Sequence, residues 1–169
     1  MREILFRGED VETGDWVKGQ YVRLFDYKGN RYHRIYPGYA ESDCGDLYPD
    51  WYEVDPETAG QFTGLIDKNG KKIFEGDVFK FPDEIFESYY TSCGIEYNSW
   101  ETENYGVVGY NEDYGKYDFV QYRYGNNAVE ADLNENKDLE FADFINELEV
   151  IGNIHDNPEL LGGAENGKT

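Results

Sequence analysis

Apolar and polar residues alternate in short runs along much of the chain, a period of two that is typical of strands with one buried face. Runs rich in Tyr, Phe, Val and Ile are separated by Gly, Asn and Asp, as expected where strands end in turns. The predicted strands are Ile4–Phe6, Trp16–Tyr27, Arg31–Tyr36, Trp51–Val54, Gln61–Ile66, Lys71–Phe81, Tyr105–Tyr110, Lys116–Tyr124 and Glu149–Ile154. The segment Gly38–Asp50 has little periodicity and is predicted to be a loop. The pattern therefore predicts a mainly β protein.

Turn residues join these strands into hairpins. Lys28-Gly29-Asn30, Asp67–Gly70 and Asn111–Gly115 each lie between two predicted strands. Asn-Gly at the end of the second turn is the strongest of these signals, because both residues tolerate positive φ, and we expect a positive φ at Gly70. Gly76-Asp77 interrupts the alternation of the strand that follows, which predicts a bulge or sharp bend there.

Two segments favour short helices. Leu139–Leu148 has apolar residues close to helical spacing and is preceded by Asp138, a suitable N-cap. A second short helix is predicted around Asp83–Tyr90. We therefore expect one or two short helices in a fold that is otherwise built from strands.

Acidic residues dominate the composition, with 36 Asp and Glu against 15 Lys and Arg and a formal net charge of −21. A field of this sign repels phosphate backbones and anionic membrane surfaces, so we expect neither direct nucleic-acid binding nor membrane binding. No apolar run approaches the roughly 20 residues that span a bilayer, and charges appear at once at Arg2 and Glu3, unlike a signal peptide. A cytoplasmic protein is expected. Cys44 and Cys93 lack the spacing of a disulfide framework or a zinc ribbon.

Two longer phrases resemble a known family. Asp55–Val78 reads DPETAGQFTGLIDKNGKKIFEGDV, and Leu148–Leu161 reads LEVIGNIHDNPELL. Together with the opening EILFRG at Glu3–Gly8, they resemble the YopX-like proteins of bacteriophages and prophages. This resemblance implies an SH3-like small barrel and a protein made inside a bacterial host cell, but it implies no established activity.

The resemblance also divides the chain. Residues 1–54 are expected to form an N-terminal β elaboration packed on the barrel, and residues 55–161 the YopX-like barrel core. An acidic insertion near residues 82–104 departs from the compact family pattern. Residues 162–169 are expected to form a flexible tail.

The nearest approach to a metal motif is Asp132–Asp143, where oxygen-bearing side chains follow the spacing of an EF-hand calcium loop. Lys137 occupies the position at which that loop requires Gly, and Asp143 replaces the longer bidentate Glu. We interpret the segment as a polar turn before a capped helix and expect no metal and no cofactor. His33 and His155 have no nucleophile motif beside them, so no catalytic residues are assigned and no enzyme is expected.

Aromatic residues are interleaved with acids between Lys80 and Lys116, where Lys and Arg are absent. Tyr and Trp anchor many protein interfaces, so this stretch is the candidate partner-binding site. Its candidate residues are Tyr89, Tyr90, Glu96, Tyr97, Trp100, Glu101 and Glu103. The function expected is a non-enzymatic, macromolecule-binding accessory protein with a basic protein partner, acting alone or as a homo-oligomer. Three alternatives stay open: an acidic nucleic-acid mimic that blocks a basic host protein, a carbohydrate- or calcium-dependent binding module, and an unrecognised hydrolase.

Overall fold

The computed structural model describes residues 3–41, 44–91, 93–124, 127–130, 145 and 147–161. For residues 81–91, 94–103, 121–124 and 127–130 it describes the backbone alone. The predicted mainly β class is confirmed, because the described residues form eleven strands and one short 3₁₀ helix, Pro158–Leu161. The chain divides into two compact units, Met1–Leu65 with Lys72–Glu75, and Ile66–Lys71 with Gly76–Thr169.

The first unit is built on an antiparallel sheet in the order β4-β3-β2-β1-β5-β6. Its strands are β1 (Phe6–Glu9), β2 (Trp16–Phe25), β3 (Arg31–Glu41), β4 (Leu47–Glu53), β5 (Gly60–Ile66) and β6 (Lys72–Phe74). Ile35, Val54, Phe62, Ile73 and Phe74 form its buried apolar core. The rings of Phe62 and Phe74 lie 5.6 Å apart between centroids, which joins the two strands of the β5–β6 hairpin on their buried side.

A buried cation also belongs to this unit. Arg7 is 7 % exposed, and its guanidinium donates a hydrogen bond to the carbonyl oxygen of Glu75 at 3.0 Å. The same group lies 4.9 Å from the Trp16 ring centroid and 5.1 Å from that of Phe74. Burying a charge is costly unless it is compensated, and here a carbonyl dipole and two ring faces supply the compensation.

Strand β2 changes its partner at Gly19. Residues 16–19 pair with β1, whereas Gln20–Phe25 pair with β3. A Cβ at Gly19 would lie 2.7 Å from the Pro37 nitrogen and would overlap the carbonyl group of Tyr36. Only glycine allows the two backbones to approach this closely, so Gly19 is required where the strand changes partner.

The second unit is built on an antiparallel sheet in the order β10-β9-β8-β7-β11. Its strands are β7 (Asp77–Thr91), β8 (Gly94–Asn111), β9 (Lys116–Tyr124), β10 (Asn127–Glu130) and β11 (Val150–Asn153). The buried apolar residues of this unit are Val78, Phe79, Val107, Val108, Phe119, Ile145, Leu148, Val150 and Leu161. Leu161, at the end of the 3₁₀ helix, packs with Val78 and Val107 and so holds the end of the described chain against this sheet.

Asp67 organises the predicted DKNG turn. Its Oδ1 accepts the backbone N–H groups of Asn69 and Lys71, both at 2.8 Å. Its Oδ2 accepts the N–H of Val150, at the start of β11, at 3.2 Å. The expected positive φ at Gly70 is confirmed, at 80°. The turn is therefore the hairpin turn that the sequence predicts, with an additional long-range contact.

Three element predictions are wrong. The helix predicted around Asp83–Tyr90 is part of β7, and the loop predicted over Gly38–Asp50 contains the end of β3 and the start of β4. The strand predicted over Lys71–Phe81 is two strands, separated at Glu75-Gly76 where φ of Gly76 is 81°. The expected sharp bend therefore ends one strand and begins the next.

Other predictions fall where the structure gives no description. Most of the helix predicted over Leu139–Leu148, and the tail Gly162–Thr169, lie outside the described residues. Each described sheet has two terminal strands, so neither sheet closes into a barrel within the described part of the chain.

Candidate functional site

The predicted partner-binding residues lie on a long hairpin, which we call the arm (Pro82–Glu103). Its two strands pair continuously, from Pro82 opposite Glu103 to Thr91 opposite Gly94. Strand β9 begins to pair with β8 only at Asn104, and β11 pairs with β7 only over residues 77–79. In the described chain, the arm is thus a two-stranded ribbon that continues past its sheet.

The arm's register separates the seven candidate residues into two sets. Side chains alternate between the faces of a strand, and directly opposed residues share a face. Their side chains lie outside what the structure describes, so the assignment rests on the backbone register alone. One face carries Tyr90, Tyr97, Glu101 and Glu103, and the other carries Tyr89, Glu96 and Trp100.

Charge is divided evenly between these faces. The arm contains six acidic residues and no Lys or Arg: Asp83, Glu84, Glu87, Glu96, Glu101 and Glu103. Each face holds three of them by register, and Glu84 lies directly opposite Glu101. Directly opposed like charges destabilise a strand pair, so a positively charged partner would stabilise the arm.

A second surface, which the sequence predictions did not single out, has the opposite charge. We call residues Arg23–Arg34, at the β2–β3 turn, the basic hairpin. It contains Arg23, Lys28, Arg31 and Arg34 against the single acid Asp26. Five of the 15 Lys and Arg residues fall within residues 16–40, beside one of the 36 acids. That local reversal of charge is the sequence signal that could have found this surface.

Exposed rings accompany the cations of the basic hairpin. Phe25 is 60 % and Tyr27 is 92 % exposed. The guanidinium groups of Arg23 and Arg31 lie 5.9 and 6.0 Å from the Phe25 centroid, and the Lys28 ammonium lies 5.5 Å from that of Tyr27. The hairpin therefore presents alternating rings and cations to solvent.

Asp26, the one acid of this surface, holds the turn. Its carboxylate accepts the backbone N–H groups of Lys28 at 2.8 Å and Asn30 at 2.9 Å, and the Asn30 amide at 2.7 Å. Desolvation raises the pKa of Asp26, but these hydrogen bonds outweigh it and hold the pKa below its ordinary value. The carboxylate is thus engaged within the turn.

The two histidines have structural surroundings. His33 is half-buried on β3, and its Nδ1 is hydrogen-bonded to the hydroxyl of Tyr21. Desolvation raises the pKa of Tyr21, although the nearby charge of Arg23 opposes the shift. The backbone N–H of His155 donates to Asn153 Oδ1 at 2.9 Å in the turn after β11.

Within the described ranges, no group of three or more His, Cys, Asp and Glu residues is arranged to hold a metal ion. The calcium-loop-like segment Asp132–Asp143 lies outside the described residues. Among the described helical residues, none belongs to a helix long and apolar enough to cross a membrane.

Comparison with known proteins matches the chain to a family and to solved structures. The model of the family described as YopX protein matches residues 5–162. The crystal structure of protein EF1440 from Enterococcus faecalis matches with a TM-score of 0.48 and 22 % sequence identity, covering 95 % of this chain and 99 % of that one. A search of curated proteins finds no match.

Proposed function

Because the chain belongs to the YopX protein family, we propose that it is a phage- or prophage-encoded accessory protein that binds a basic protein partner through the arm. The proposed role is non-enzymatic and takes place in the cytoplasm of the bacterial host. The observation that carries it is the combination of six carboxylates, no cation and a two-stranded backbone in one element.

Charge supports a basic partner. The acids of the arm repel one another, most directly at the opposed pair Glu84 and Glu101, and a partner rich in Lys and Arg would relieve that repulsion. Electrostatic attraction of this kind mainly accelerates association and selects partners by sign.

Backbone and aromatic groups support a protein partner. Within the arm, the described pairing joins β7 to β8. The outer edge of each strand therefore offers backbone N–H and C=O groups with which an added strand can pair. Tyr89, Tyr97 and Trp100 supply residue types that anchor interfaces. Their short-range contacts would determine how long a partner stays bound.

The nucleic-acid mimic is one form of this proposal, in which the basic partner is itself a nucleic-acid-binding protein. Evenly divided carboxylates on an extended ribbon favour it over a carbohydrate or calcium site. It differs in one measurable property, since DNA would compete with this chain for the partner.

We also propose that the fold is an SH3-like barrel. The bend at Glu75-Gly76, where β6 ends and β7 begins, is of the kind that barrel corners use. A crystal structure of the whole chain would test whether its strands close into such a barrel.

The proposal is tested by capture from host lysate with three proteins. These are the wild type, an arm variant E96Q/E101Q/E103Q, and a control E12Q/E57Q/E112Q that removes three exposed acids elsewhere. We expect a basic protein that is retained by the wild type and the control but lost from the arm variant. Equal capture by all three would contradict the proposal.

Surface plasmon resonance on the captured protein separates the two contributions. The arm variant should associate more slowly, and this difference should shrink at about 0.5 M salt, because the Debye length falls below roughly 5 Å. Trp100→Ala should mainly accelerate dissociation. Competition by DNA would favour the mimic, and its absence a partner of another kind.

A further inference from the structure

We propose that the basic hairpin docks on the acidic arm of a second copy of this chain. The inference rests on the proposed function in one respect, namely that the arm recognises positive charge. The contact joins two copies of the chain, so self-association requires no other protein.

The basic hairpin and the arm are complementary in charge. The basic hairpin has four cations against one acid, and the arm has six acids without a cation. The hairpin's one acid, Asp26, is engaged by Lys28 and Asn30 within the turn. Each chain therefore contains both signs of surface, concentrated in separate hairpins.

The basic hairpin also exposes large aromatic rings. Large apolar rings standing in solvent are the residues that interfaces bury, and Phe25 and Tyr27 are 60 % and 92 % exposed at the tip of the hairpin. Their neighbouring cations lie within 6.0 Å of the ring centroids. One face of the arm carries the matching chemistry, because Tyr89 is directly opposite Glu96 in the register, and Trp100 is diagonal to Asp83 and Glu87.

A nucleic acid fits the whole chain less well. Cations beside exposed rings can also bind single strands by stacking, but the chain's net charge of −21 repels a phosphate backbone. A second copy carries the same net charge, but only its arm has to approach the basic hairpin, whereas a nucleic acid carries negative charge along its whole length. The observations therefore favour a protein occupant.

The contact would be heterologous, with different surfaces meeting on the two copies. After one contact, the pair of copies retains one free arm and one free basic hairpin, which either bind each other or bind further copies. A free arm at one end would still serve the basic partner proposed above.

Charge reversal on each surface provides the test. The hairpin-reversed variant is R23E/K28E/R31E and the arm-reversed variant is E96K/E101K/E103K; K68E/K116E reverses two exposed lysines elsewhere. Sedimentation velocity gives the mass distribution of each protein alone and of the two reversed variants mixed. We expect the wild type and the control to self-associate in about 50 mM salt and to dissociate in about 500 mM salt.

Each reversed variant alone should sediment as a monomer, and the mixture should recover at least half of the wild-type assembly. Recovery on mixing also shows that both variants are folded. A monomeric wild type, or reversed variants that assemble normally, would overturn the proposal. So would binding of a fluorescein-labelled thymidine oligonucleotide that only the hairpin reversal abolishes, without any change in assembly.

The two proposals fail separately. Loss of self-association in the hairpin-reversed variant, with capture of the basic host protein intact, supports both. Self-association that disappears with hairpin reversal while the lysate yields no arm-dependent partner supports this inference and rejects the proposed function.

Discussion

The carboxylate of Asp67 contributes to stability out of proportion to its size. It is 4 % exposed and accepts backbone N–H groups from Asn69, Lys71 and Val150. Asp67→Ala leaves these donors without that acceptor, so we expect a loss of about 1–3 kcal/mol in the free energy of unfolding. Urea denaturation at neutral pH measures it. A midpoint equal to the wild type would contradict the role assigned to this residue.

The same residue predicts a pH dependence. Desolvation raises the pKa of Asp67, but hydrogen bonds from Lys71, Val150 and Asn69 outweigh it and hold the pKa below its ordinary value. The stabilisation is therefore complete above the unfolded pKa of about 3.9 and is lost as pH falls through the lower folded pKa. The stability difference between wild type and Asp67→Ala should accordingly shrink below about pH 4, as denaturation at a series of acidic pH values would measure.

Substitutions at Gly70 test backbone strain without an effect of packing. Its φ is 80°, and a Cβ there would meet no heavy atom within 4 Å. Gly70→Val should therefore cost roughly 1 kcal/mol or more through strain alone, whereas Gly70→Asn, which tolerates this region, should cost less. Equal denaturation midpoints for the two variants would be inconsistent with that explanation.

The sequence predicts the backbone conformation of Gly70 but only part of the role of Asp67, because the first depends on neighbouring residues and the second also depends on a distant strand. The Asn69-Gly70 pair specifies its turn within four residues, so the φ of Gly70 could be predicted. The bond from Val150 to Asp67 spans 83 residues, and no local pattern encodes it. Sequence reasoning therefore found the turn but not the strand that the turn holds.

At the scale of elements, Gly19 tests the crossing of β2 from one neighbour to the next. Gly19→Ala places a methyl group against the Tyr36 carbonyl and the Pro37 nitrogen, and we expect a loss of about 1–3 kcal/mol. Gly38→Ala is the matched control in β3, because a Cβ there has no atom within 4 Å. Thermal melts of both variants measure the difference. Comparable losses would show that strand propensity, rather than close approach, determines the effect.

The wrong element predictions share a cause. Strand β4 lies at the end of its sheet and contains Pro49, which an edge strand tolerates and which reads as a loop in the sequence. Most of β4 is exposed or half-buried, so its residues show no alternation of apolar and polar positions. The arm likewise lacks a clear period of two, and the sequence predicts a short helix at Asp83–Tyr90 instead of a strand. Pairing with a neighbour, which the local sequence does not display, produced strands in both places.

For the whole molecule, the sequence predicted the class and the family more completely than the sites. Composition and turn spacing sufficed for a mainly β fold, and the Asp55–Val78 and Leu148–Leu161 phrases sufficed for the family that matches residues 5–162. The net charge of −21 did not indicate the basic hairpin, because a net charge for the whole chain does not show where its cations lie. The pairing of β2 with β3 holds those cations at one turn, and a count of charge over short segments of the sequence would have indicated them.

That total charge predicts how salt affects the whole fold. Repulsion among 36 acids opposed by 15 cations destabilises the compact state, whereas exposed ion pairs such as Lys68–Glu149, at 2.9 Å, each contribute little. Screening weakens both terms, and the repulsion is the larger. We therefore expect the urea midpoint to rise between about 10 and 300 mM NaCl, a range over which the Debye length shortens from roughly 30 to 6 Å. The hairpin-reversed variant, which adds three negative charges and removes three positive ones, should show a steeper rise when measured as a monomer. A midpoint that falls with salt would mean that attraction between specific pairs outweighs the net repulsion.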